Sequence, residues 1–160
     1  MDLADILVVI GIAASPIAEL RGAIPVAISV HDFPWYYAYL FSVIGNLLPV
    51  PFILLFLNAI IPLLSKIRFM NRLIQWFFAK TRRRGKILDR YERIGLALFV
   101  AIPLPITGAW TGSILAVLFG MKFKYAFLSI LVGVLIAGVI VTCATVLGWT
   151  IADLVTAPVD

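Results

Sequence analysis

The chain has 160 residues, 63% hydrophobic and 13% charged, with a mean hydropathy of +1.11 and a formal net charge of +5. A soluble domain carries ~25% charged and ~45–50% apolar residues, so soluble, disordered, collagenous and disulfide-rich classes are excluded and an integral membrane protein is left. Ten of the 13 Lys and Arg lie between Lys66 and Arg93, in one loop between apolar segments; this fits the positive-inside rule rather than the basic face of a nucleic-acid binder, and no nucleic-acid partner is expected.

In chain order, the first apolar run is Leu3 to Ala18. Ala13 and Ser15 resemble a signal-peptide cleavage site, but Asp2 and Asp5 stand where such a signal needs positive charge, so the run is expected to stay in the mature chain. A span needs ~20 apolar residues, and neither this run nor the next, Gly22 to Val30, reaches that length alone. With Ser15-Pro16 and Glu19-Leu20-Arg21-Gly22 between them, they read as a re-entrant helical hairpin, whose irregular backbone must face protein or water. The third run, Phe33 to Ser65, spans, with a kink expected at Pro49-Val50-Pro51 because proline removes helical hydrogen bonds.

The basic loop from Lys66 to Arg93 carries Ile67, Met70, Ile74, Phe77 and Phe78 at helical spacing. It predicts an amphipathic helix in the cytoplasmic interface, with Lys66, Arg68, Arg72, Arg82, Arg83 and Arg84 available to anionic lipid. The fourth run repeats the first arrangement: an arm from Gly95 to Ile102, a breaker-rich turn Pro103-Leu104-Pro105-Ile106-Thr107-Gly108, and an arm from Trp110 to Met121. The fifth, Phe123 to Ile151, spans. Gly133 and Ala137, and Gly138 and Thr142, lie four apart, which suits close helix packing or dimerisation. Cys143, the one cysteine, is expected to be a buried core thiol.

If both short-armed runs return to their own side, every loop Lys and Arg is cytoplasmic, and Asp2, Asp5, His31, Asp32, Asp153 and Asp160 are outside, as are both termini of this multi-pass plasma-membrane chain. The order also echoes itself. Tyr37-Ala38-Tyr39-Leu40 and Val43-Ile44-Gly45 match Tyr125-Ala126-Phe127-Leu128 and Leu131-Val132-Gly133 at an offset of 88, and Arg21-Gly22-Ala23 faces Thr107-Gly108-Ala109 at 86. The fold expected is therefore an all-α integral membrane protein, one domain over residues 1–160, built as two inverted repeats (1–65 and 94–160). Each repeat is a re-entrant hairpin followed by a transmembrane helix, and segment 66–93 joins them. Inverted repeats with broken helices are a transporter pattern.

One His and one Cys exclude a zinc site or a Cys/His pair, and there is no phosphate-binding Gly-Lys-Ser/Thr loop. No cofactor, metal or enzymatic activity is expected. Glu19 and Arg21 are the charges within the predicted hairpins, and ionisable groups at depth are functional candidates. Burial favours the protonated form of a carboxyl, so Glu19 could load and release a proton, while the planar guanidinium of Arg21 could hold an anionic group. Helix termini at the two tips would favour anions too. The second tip offers Thr107 and Thr111 as hydrogen-bond donors and Trp110 as a wide apolar face; Asn46 stands one turn before the expected kink.

Glu19-Leu20-Arg21-Gly22-Ala23-Ile24-Pro25 and Pro103-Leu104-Pro105-Ile106-Thr107-Gly108-Ala109-Trp110-Thr111-Gly112 closely resemble the paired signatures of the putative small multidrug export protein family, over most of the chain from about Ser15 to Gly148. More remotely, the hairpin-helix plan is similar to the DedA superfamily of lipid-translocating membrane proteins. That superfamily's second hairpin carries arginines flanking its proline, where this chain has Val100 and Ile106. The family name implies efflux; the residues themselves add the expectation of a small amphipathic substrate, with Glu19 as proton carrier and Arg21, Gly22, Pro25, Asn46, Pro103, Pro105, Thr107, Gly108, Trp110 and Thr111 as substrate-binding positions. The superfamily implies instead a flippase or scramblase for lipid or polyprenyl phosphate. Membrane lipids and a second copy of the chain are the expected partners, because two full spans enclose little volume.

Overall fold

The structure is a computed structural model and describes residues 2–64, 86–104 and 107–156. Among the described residues it is all helical: α1 (Leu3–Ala14), α2 (Glu19–Ser29), α3 (Trp35–Leu47), α4 (Pro49–Leu64), α5 (Lys86–Ala101), α6 (Ala109–Leu118) and α7 (Phe123–Thr156). The expected interfacial helix, with Lys66, Arg68, Arg72, Arg82, Arg83 and Arg84, lies outside the described residues, as does Pro105.

Local chemistry sets the boundaries. The Asp2 N–H donates to Asp5 Oδ2 at 3.2 Å across the first turn of α1, and this bond holds the Asp5 carboxyl below the usual aspartate value. His31 Nδ1 lies 2.9 Å from Asp5 Oδ1 and ties the start of α1 to the end of α2. Pro16 forces Ser15 out of the helical region, to φ −73° and ψ 145°. The Ser15 hydroxyl then donates to Ile12 O and accepts from the Ala18 N–H, closing a tight turn. The chain thus turns at Ser15–Ala18, so Glu19 and Arg21 belong to the first turn of α2 and not to the loop.

The kink expected at Pro49 is present as an interruption at Leu48, between α3 and α4. Pro49 and Pro51 cannot donate to the carbonyls of Gly45 and Leu47. Leu48 keeps helical angles, φ −56° and ψ −46°, so Trp35–Leu57 still counts as one apolar stretch of 23 residues; Phe123–Gly148 supplies 26. At 1.5 Å per residue these reach ~35 and ~39 Å, enough for a ~30 Å hydrocarbon core. Helix α1, of 12 residues, reaches only ~18 Å. Helix α5 starts at Lys86, so the first arm of the second hairpin extends well into the basic segment, beyond the arm expected from Gly95.

Packing is close where glycine allows it. A Cβ on Gly45 of α3 would lie 2.6 Å from Ile10 O and 2.8 Å from the Ala13 Cβ, both on α1. A Cβ on Gly133 of α7 would lie 2.7 Å from Ala97 O and 2.6 Å from the Val100 Cβ, both on α5. A Cβ on Gly138 would lie 2.7 Å from the Tyr39 ring. The small-residue stripe of α7 is therefore spent inside the protomer. Two apolar clusters result. Val9, Ala13, Ala23, Ala27 and Ala38 join α1, α2 and α3; Leu20, Ile24, Val50, Val100, Ile130 and Val134 join α2 to the second half. Helix α2 belongs to both clusters. Cys143 is exposed, contrary to the core position expected, because it lies off the face of α7 that packs.

The links before α3 and α7 also correspond. Asp32 and Gly120, 88 apart, both have positive φ, 52° and 69°. The N–H groups of Tyr37 and Ala38 reach Pro34 O at 3.0 and 3.1 Å, and those of Tyr125 and Ala126 reach Lys122 O at 2.9 and 3.0 Å. The echo at 86 does not carry through: Gly22 lies inside α2, whereas Gly108 precedes α6.

Candidate functional site

Glu19 opens α2 in a left-handed conformation, φ 47°, which an L-residue with a bulky side chain rarely adopts. Its residue is 6% exposed. The carboxylate crosses to the second hairpin: the Trp110 main-chain N–H donates to Glu19 Oε1 in a long bond of 3.5 Å. Glu19 thus caps α6 from another helix, at the end where free amides and the helix dipole favour negative charge. Gly108 makes room for it. A Cβ at position 108 would lie 2.5 Å from Glu19 Cδ, 2.6 Å from its Oε1 and closer still to its Oε2.

Trp110 also ties α6 to α1. Its indole Nε1–H donates to Ala14 O at 3.1 Å, taking up one of the last carbonyls of α1 that helix geometry leaves free. Thr107 is also committed, donating to Ile102 O and accepting from the Leu104 N–H. That bond holds the bend after α5, so the hydroxyl is not free for a substrate. Arg21 does not pair with Glu19. Its Nη2 donates to Ile17 O at 3.0 Å, four residues back in the turn before α2, and its Nε has no partner.

Between these groups lies a cavity of about 10 Å³, lined by Glu19, Arg21, Asn46, Pro103, Thr107 and Gly108 together with the apolar Leu20, Val100, Ala109, Val134 and Ala137. Asn46 is 2% exposed, and its Oδ1 has no partner. Six of the positions expected from the sequence therefore meet at one place. Gly22, Pro25, Trp110 and Thr111 do not line it. Gly22 instead lets α2 pass the turn, since a Cβ there would lie 2.8 Å from Ala18 Cβ. Pro25 sits within α2, where Ser29 Oγ donates to its carbonyl at 2.6 Å. Of the lining residues that sequence reasoning missed, Val134 had a signal, as it stands 88 after Asn46. The other apolar ones had none, because composition alone does not separate a lining valine from a core valine.

An anionic headgroup finds no ready seat at these tips. The α6 terminus is taken by the chain's own carboxylate, and the Arg21 Nη2 by a backbone carbonyl. The lipid-phosphate alternative rested on Arg21 and the interfacial basic helix; the first is partly engaged here and the second lies outside the described residues. Among the described residues no cluster of His, Cys, Asp and Glu could hold a metal ion.

Residues 19–140 match the family model described as putative small multi-drug export protein. No curated protein and no solved structure matches the chain.

Proposed function

Because the chain belongs to the putative small multi-drug export protein family, whose name agrees with two helices long and apolar enough to cross a membrane, we propose that it moves a small amphipathic substrate out across the bilayer with Glu19 as the coupling proton carrier. The observation that carries this reading is the buried Glu19 carboxylate lying across the two hairpins, against Gly108 and the Trp110 N–H. Ionised, it holds α2 to the end of α6. Protonated, it loses charge and the attraction of the helix terminus, and the two tips are released from one another. A proton at one atom thereby governs contact between the halves.

The inverted-repeat membrane topology is part of the proposal. It is supported by the paired positive-φ links at Asp32 and Gly120 and by the paired glycine contacts at Gly45 and Gly133. Exposed Trp35, Tyr36 and Tyr37 at the start of α3, and Phe123 and Tyr125 at the start of α7, suit the two membrane–water interfaces. The Arg93 guanidinium lies 3.4 Å over the Tyr125 ring and joins α5 to α7 at the end we assign to the cytoplasm. Because one protomer encloses so small a cavity, we propose a homodimer as the working unit.

The test is transport of a lipophilic dye in proteoliposomes under an imposed pH gradient. Glu19→Gln keeps size and most hydrogen bonding but cannot exchange a proton. It is expected to abolish the response to the gradient while the protein still inserts. Gradient-driven transport by Glu19→Gln equal to wild type would remove Glu19 as the coupling group.

A further inference from the structure

Three polar groups meet at the tip cavity with hydrogen-bonding capacity to spare. Asn46 Oδ1 is an acceptor with no partner, Arg21 Nε is a donor with no partner, and the Glu19 carboxylate holds one long bond from Trp110. All three line the same cavity of about 10 Å³, which is near the smallest volume that holds one water, and a buried water needs two to four polar partners. A buried amide oxygen and guanidinium nitrogen left unpaired in a low-dielectric site are costly. One water satisfies both: it accepts from Arg21 Nε, donates its two O–H bonds to Asn46 Oδ1 and to Glu19, and keeps one lone pair on which a proton can arrive.

We propose that this cavity binds a single water molecule, held by Asn46 and Arg21, through which the proton reaches and leaves Glu19. The proposal rests on the reading of Glu19 as a proton carrier and makes Asn46 a positioning residue for it. In the loading step a proton arrives on the water oxygen, the water's O–H bond toward Glu19 breaks, and a carboxyl O–H forms. The water is regenerated and no other co-reactant is needed. The surroundings contain no competing acid or base among the described residues. Helix α2 presents Arg21, α3 presents Asn46, α5 presents Val100, α6 presents its amide terminus, and α7 presents Val134 and Ala137.

Infrared difference spectroscopy of the full chain in lipid vesicles tests this without relying on transport. The wild type is expected to show a carboxylic C=O band that is absent in Glu19→Gln. A water O–H band should change together with it and shift when the solvent is H₂¹⁸O. Asn46→Leu keeps the heavy-atom branching and removes the amide. It should lose the water band and move the Glu19 titration midpoint up by about one pH unit, because a hydrogen bond to the charged form is lost. The isotope measurement on the wild type stands even if Asn46→Leu fails to fold. Absence of an ¹⁸O-sensitive band linked to Glu19, or an unchanged midpoint in folded Asn46→Leu, overturns the proposal; so does a shift that depends on sodium concentration rather than pH. If the bands behave as expected but transport ignores the pH gradient, the transport reading fails and the water site stands.

Discussion

Among the described glycines, Gly108 is the one most closely overlaid by a neighbour, Glu19, and neither residue explains itself alone. Glu19 accepts a left-handed backbone, at about 1–2 kcal/mol, and this aims its carboxylate at the amide end of α6. Gly108 is the position over which that carboxylate lies, so a single methyl group there must displace it. Gly108→Ala is therefore expected to reduce gradient-driven dye transport by about 10- to 100-fold, since small misplacements of a reacting group cost that much. The protein should still insert, because the collision is with a movable side chain. Gly11→Ala is the matched control, as nothing lies within 4 Å of a Cβ there. Equal transport by Gly108→Ala and wild type would mean that the Glu19–Gly108 contact has no role in the cycle.

At the scale of elements, two crossings carry the architecture: α1 on α3 at Gly45, and α5 on α7 at Gly133. In each case a backbone carbonyl approaches the glycine, so relief cannot come from a rotamer change. Alanine would ordinarily stabilise a helix by about 1 kcal/mol over glycine. Here overpacking, at about 1–3 kcal/mol, opposes and exceeds that gain. Gly45→Ala and Gly133→Ala should each unfold at lower SDS fraction than wild type in mixed micelles. Gly148→Ala, where a Cβ meets nothing within 4 Å, should unfold at or above it. A stabilised Gly45→Ala would show that α1 does not press on α3. These crossings also explain why the α7 stripe is unavailable for dimerisation: Gly133 and Gly138 are covered from within.

The whole molecule is tested by its orientation. The proposed topology puts Asp32 and Lys122, which lie in the corresponding links of the two halves, on opposite sides of the membrane. In a Cys143→Ala background, Asp32→Cys should react with an impermeant thiol reagent added outside intact cells, and Lys122→Cys should react only after the membrane is opened. Labelling of position 122 from outside would make the second hairpin a full crossing and end the inverted repeat. Cys143 has to be removed first because it is exposed on α7.

Much of this was legible in the residues. Mean hydropathy, the clustering of Lys and Arg, and the lengths of the apolar runs determine a membrane protein with two long helices, because burying an apolar chain in lipid is a property summed over composition. Proline chemistry located the interruption at Leu48 and the stop at Ser15, since a missing N–H acts locally. Glu19, Asn46 and Gly108 were identifiable as residues out of place in apolar surroundings. Other features belonged to the tertiary structure. That Trp110 is a tie to Ala14 rather than a cavity wall, that Thr107 is spent on its own turn, and that Arg21 turns to Ile17 rather than Glu19 all depend on which atoms meet across 90 residues or within a bend. Hydrogen bonds are short and directional, so the sequence determined which polar groups needed partners, and only the packing of the two halves decided which of them were left without one.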